Sequence, residues 1–107
     1  MSVYFKEIEE NMDANFLNKL DKARSIAGLP FNINSAYRGP DHPLSIKNPS
    51  SSHIKGLAVD ISVTDSRTRF IIVDALIKAG FNRIGIADTF IHVDFDLDKS
   101  NKVIWTY

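Results

Sequence analysis

Phe16, Leu17, Leu20, Ala23, Ile26 and Ala27 recur at helical spacing and predict a helix over Asp13 to Ala27. Asp13 stands where an N-cap belongs, and Gly28 followed by Pro30 ends the run. Phe31, Ile33 and Ser35 then alternate with Asn32 and Asn34, the pattern of a half-buried strand reaching about Tyr37. Gly39 to Ser52 holds three prolines and five serines or asparagines, which predicts a loop longer than connection alone requires. From Leu57 to Val63 the alternation is clean: Leu57, Val59, Ile61 and Val63 share one face, and Ala58, Asp60 and Ser62 the other. Thr64, Asp65 or Ser66 caps a second helix with Phe70, Val73, Leu76 and Ile77 inward, closed by Gly80. Arg83 to Ala87 and Phe90 to Phe95 read as strands joined by a tight turn at Asp88-Thr89, and Val103 to Tyr107 as a short last strand. Helix, strand, loop, strand, helix, hairpin and strand predict an α+β domain: a small, mainly antiparallel sheet with two helices.

A chain of 107 residues has room for one core, so residues 1–107 are expected to form one domain. Acidic and basic residues balance at 13 each, which argues against a nucleic-acid partner, since such proteins carry a basic excess. No apolar run approaches a membrane span. Met1 to Glu10 is acidic and lacks the apolar core of a secretory signal, so the chain is expected to begin in the cytoplasm, as a monomer. Cysteine is absent, so any metal site must be built from histidine and carboxylate.

Asp60 interrupts an apolar strand on the face that carries only Ala58 and Ser62 beside it. A carboxylate on a covered sheet face needs a cation or several donors, whereas on a solvent face it costs nothing. His92 sits mid-strand, and taken singly a strand histidine is an ordinary core or surface residue. His53, Asp60 and His92 together make a different case. Two neutral imidazoles and a carboxylate are three ligands, the number a catalytic zinc uses while keeping a fourth position open. Gly56 and Ala58, being small, are expected to leave space above the sheet for metal and substrate.

Ser51-x-His53-x-x-Gly56-x-Ala58-x-Asp60 followed by His92-x-Asp94 resembles the zinc-binding pattern of the D-alanyl-D-alanine metallopeptidases. That superfamily also includes lysostaphin-type endopeptidases and the hedgehog signalling domain. Asn34-Ser35-Ala36-Tyr37-Arg38 is similar to the family's Ser-Gly-Tyr-Arg strand end, and Ile104-Trp105-Thr106-Tyr107 looks like the closing strand of its small, phage-type branch. The first motif fixes five positions in ten, which makes it far more specific than a lone His-x-Asp. The resemblance implies zinc bound by His53, Asp60 and His92, and Arg38 as the cation that polarises the scissile carbonyl. It also implies a substrate class, the stem peptides of bacterial peptidoglycan, cut by a carboxypeptidase or an endopeptidase of the phage lysis type.

Many relatives place a catalytic carboxylate three residues before the last histidine, where this chain has Thr89. Asp88, in the turn, and Asp94, on the same strand face as His92, are the two candidates for general base, and Asp88 is preferred. Its alternative role is that of a favoured turn residue. His42 is expected to be a solvated loop residue, and Ser51 to hydrogen-bond near the ligand loop. Two other readings use the same residues: a catalytically silent zinc-binding recognition module, and a metal-free structural protein of a virion.

Overall fold

The computed structural model describes residues 2–107. Its first long helix, α1, runs Ala14–Ala27, and the Asp13 side chain accepts a hydrogen bond from the Phe16 N–H at 2.9 Å to cap it. Gly28 closes α1 in the left-handed region, φ 70°, with its N–H on the Arg24 carbonyl. A strand, β1, follows at Ile33–Ser35. It is shorter than the alternation predicts, and its pairing register with the next strand shifts between Ile33 and Ser35. Within the predicted loop lies a short helix, α2, at Pro43–Lys47. The His42 ring caps it, accepting from the Leu44 N–H, and Pro43 occupies its first position.

The remaining elements are β2 (Ala58–Ser62), α3 (Ser66–Lys78), β3 (Arg83–Ile86), β4 (Phe90–Asp94) and β5 (Val103–Thr106). A single 3-10 turn at Lys6–Ile8 precedes them all. The sheet order is β1-β2-β4-β3-β5, antiparallel except for the parallel pair β3–β5. The fold is therefore α+β with a mixed sheet, carrying α2 and the 3-10 turn in addition to the two predicted helices. Among the described residues no helix is long and apolar enough to cross a membrane.

Strand parity divides the sheet into two faces. Val59, Ile61, Ile84, Ile91 and Val93 point to one side, where they meet Phe16, Leu17 and Leu20 of α1 and Ile72 and Leu76 of α3 in the apolar core. On α3 the buried stripe is Ile72, Ala75 and Leu76, continued by Ala79 beyond the helix end. The helix carries two adjacent apolar stripes, and the small alanines of the first let it pack against α1. Phe70 and Ile77, expected inward, lie on the outer flank at 72% and 51% exposure.

Gly56 has a duty other than leaving room for a ligand. Its φ is +70°, and a Cβ there would lie 2.1 Å from the Asn11 carbonyl oxygen. The Asp13 N–H in turn donates to the Gly56 carbonyl at 2.9 Å, so two chain segments pass at backbone contact. Gly56→Ala combines left-handed strain with a backbone clash and is expected to cost about 2–4 kcal/mol. Denaturant unfolding checks this, and a loss below about 0.5 kcal/mol would contradict the close approach.

Candidate metal centre

The second sheet face carries the polar residues, and register aligns them in one row. Ser35 pairs with Asp60, Asp60 with His92, His92 with Gly85, and Gly85 with Trp105 across four neighbouring strand pairs. His53 joins from the turn before β2, buried to 3% exposure. One ligand atom from each of His53, Asp60 and His92 lies within 4.8 Å of the others, and all three residues are buried. His53 Nε2 is 3.3 Å and His92 Nδ1 3.0 Å from the same oxygen, Asp60 Oδ1. This cluster can hold a metal ion.

The remaining ring nitrogens are each held by an acceptor. His53 Nδ1 donates to the Ala36 carbonyl at 2.7 Å, which leaves Nε2 with a lone pair toward Asp60. His92 Nε2 donates to Asp94 Oδ2 at 2.7 Å, so its Nδ1 faces the cluster. Fixing the tautomer and the ring plane through the far nitrogen is how metal-binding histidines are held. Asp94 is itself held, its Oδ1 accepting from Arg83 Nε at 2.6 Å. The donor set therefore fits a cation: two oriented imidazoles, one carboxylate and no thiol.

Burial alone would raise the Asp60 carboxyl, but the hydrogen bonds and charges of His53 and His92 outweigh it and hold it well below the usual carboxylate range. Burial likewise opposes ionisation of Asp94, and His92 and Arg83 prevail in lowering it. Burial would lower His92, yet the two carboxylates raise it above the ordinary histidine value. The two carboxylates thus favour a proton on His92. The lowered aspartates contribute stability above about pH 4 that is lost as pH falls towards their folded values. His92 contributes stability below about pH 6.5 that is lost as pH climbs through its raised value. Metal-free protein is expected to melt highest between these limits. A melting temperature that does not fall on acidification from about pH 5 to pH 3 would contradict the ion-pair geometry.

Arg38 brings its Nη2 to 3.3 Å from Asp60 Oδ2, while its Nε donates to Ser35 Oγ at 3.0 Å. Ser51 Oγ accepts from the His53 N–H at 3.3 Å, the local role its position suggests. A cavity of about 370 Å³ opens over the cluster, with Arg38, Arg83 and Lys99 as its cations and Phe90, Trp105 and Tyr107 as an aromatic wall. The Trp105 ring sits 5.5 Å from that of His92 and beneath the Arg83 guanidinium. Gly85 admits it: a Cβ there would lie 2.6 Å from the indole.

Asp88 is not brought to this centre. It lies exposed in the β3–β4 turn, away from the cavity wall, with its carbonyl taking the Arg69 guanidinium at 3.0 Å. The turn preference of aspartate accounts for it. The carboxylate beside His92 is Asp94, and both its oxygens are engaged. Nor do Gly56 and Ala58 line the cavity, and the room that Gly85 leaves is filled by the Trp105 indole. Sequence reasoning missed Arg83, Lys99 and the placing of Trp105. Arg83 meets Asp94 only across the β3–β4 pair, Trp105 arrives through the parallel β3–β5 pair, and Lys99 comes from the segment between β4 and β5. The one available signal was parity: Arg83, Gly85 and Trp105 alternate like His92 and Asp94.

Comparison with known proteins agrees with the motifs. No curated protein and no solved structure matches this chain. One family model does, described as Peptidase M15, and it covers residues 1–94 of the 107. That match, together with the buried His53, Asp60 and His92, supports metal-dependent hydrolysis of peptidoglycan peptides. The chain belongs to the M15 family of peptidases.

Proposed function

We propose that this chain is a zinc peptidase acting on peptide bonds of peptidoglycan stem peptides, with His53, Asp60 and His92 as metal ligands and Arg38 at the scissile carbonyl. The observation that carries the reading is the convergence of His53 Nε2 and His92 Nδ1 on one Asp60 oxygen, each ring oriented from behind. Zinc in such a three-ligand site supplies Lewis acidity, activating a water as nucleophile at neutral pH and polarising a carbonyl oxygen.

The protein's own residues do the rest. Asp94 holds the His92 proton on Nε2 and so keeps Nδ1 available as a ligand. Arg38 lines the cavity beside Asp60, and a guanidinium there would stabilise the negative charge that develops during attack on a carbonyl. Its present partner, Asp60 Oδ2, marks the direction in which the guanidinium points. Phe90, Trp105 and Tyr107 offer apolar faces to the substrate backbone, and Lys99 adds positive charge suited to the carboxylates that stem peptides carry.

Incubating zinc-loaded protein with purified peptidoglycan and following new amines or free D-alanine tests the proposal. Release is expected, and a chelator is expected to stop it. An all-L peptide of similar length should be cut poorly. Equal cleavage of both would remove the wall assignment and leave a peptidase.

A further inference from the structure

Asp96 is a buried carboxylate that the hydrolytic reading leaves unused. It lies two residues past β4, at 2% exposure, and outside the stretch matched by the family model. Its Oδ2 accepts from the Ser52 hydroxyl at 2.8 Å, and its Oδ1 from the Lys55 ammonium at 3.1 Å. Those two residues flank His53. We propose that Asp96 is a positioning residue for the metal ligand His53, acting through Ser52 and Lys55; this rests on the metal reading of the centre.

The turn that carries His53 belongs to no helix or strand, so its shape depends on a few hydrogen bonds. Ser52 is the hub. Its carbonyl accepts from the N–H groups of both Lys55 and Leu57, and its hydroxyl donates to Asp96 while accepting from Lys99 at 3.0 Å. Holding Ser52 therefore holds the turn. The other end of the clamp sits just beyond the strand that carries His92. Asp96 thereby ties the segment bearing one imidazole to the segment bearing the other and sets their separation, 5.2 Å between ring centroids. A metal with short, directional ligand bonds is sensitive to that separation, and outer groups that orient ligands are worth about tenfold to a hundredfold in affinity.

Zinc affinity by competition with a chromophoric chelator, and the visible spectrum of the cobalt(II)-loaded protein, test this. Asp96→Asn keeps the size and one acceptor but loses the charge that draws Lys55. It is expected to bind zinc about tenfold to a hundredfold more weakly, and to shift the cobalt d–d bands, with the far-UV circular dichroism of the metal-free fold preserved. A merely structural carboxylate would lower the melting temperature without moving the cobalt spectrum. Should Asp96→Asn fail to fold, Ser52→Ala breaks the same clamp at its other end and is expected to weaken zinc in the same direction. Unchanged zinc affinity and an unchanged cobalt spectrum in the folded variant would overturn the proposal. Wild-type protein that takes up no zinc would overturn the metal reading itself, a separate and earlier failure.

Discussion

His92→Ala is expected to lose bound zinc and, with it, hydrolysis. Structural zinc sites of four ligands are worth about 10–16 kcal/mol at neutral pH, or about 3 kcal/mol per ligand, so removing one should weaken binding at least about a hundredfold. The loss here is sharpened by geometry. His92 is the middle of the row, with Asp60 on one ring nitrogen and Asp94 on the other, and its removal leaves two buried carboxylates facing a void. Alanine also removes the ring against which Trp105 packs. His42→Ala is the matched control, because that ring is exposed and only caps α2. It should cost at most about 1 kcal/mol in stability and leave zinc content unchanged. Elemental analysis of protein purified without chelator measures both. Zinc at full occupancy in His92→Ala would remove this residue from the site.

Arg38→Ala is expected to lower turnover about a hundredfold to a thousandfold while the metal stays, as for the loss of one preorganised donor at a developing oxyanion. The two effects separate because Arg38 contacts Asp60 through Oδ2, whereas both imidazoles converge on Oδ1. Arg38→Lys should rescue little, since an ammonium cannot make the paired contacts to Asp60 and Ser35 that hold the guanidinium in place. Asp88→Ala, at an exposed turn outside the cavity, should keep most activity. Loss of zinc in Arg38→Ala would recast the arginine as part of the metal site, and full turnover would remove it from the chemistry.

Both expectations depend on a row of residues that the sequence displays only in part. The helix caps were legible because Asp13 and Gly28 act locally, through a side chain and a φ that belong to single residues. The alternation of Leu57 to Val63 placed Asp60 on the polar face, and the structure keeps it there beside His92. What stayed hidden depends on register. Nothing local says that β5 returns parallel to β3, so Trp105 gave no sign that it would lie over Gly85 and against His92. The same holds for Asp94: its spacing from His92 put both on one face, but only the folded arrangement supplies Arg83 to occupy its second oxygen. A short helix capped by His42 escaped notice because three prolines in 14 residues argue for loop everywhere except at a helix start. On α3 two apolar stripes competed, and packing against α1 chose the one with the smaller side chains.

The central claim is a bound zinc ion that hydrolysis requires, and one titration tests it. Metal-free protein, prepared by chelation, is supplied with increasing zinc while amine release from purified peptidoglycan is followed. Activity is expected to rise from zero and saturate at about one equivalent, as for a single three-ligand site. Protein that binds one zinc and peptidoglycan yet releases nothing, or metal-free protein that already cuts at the full rate, would contradict it.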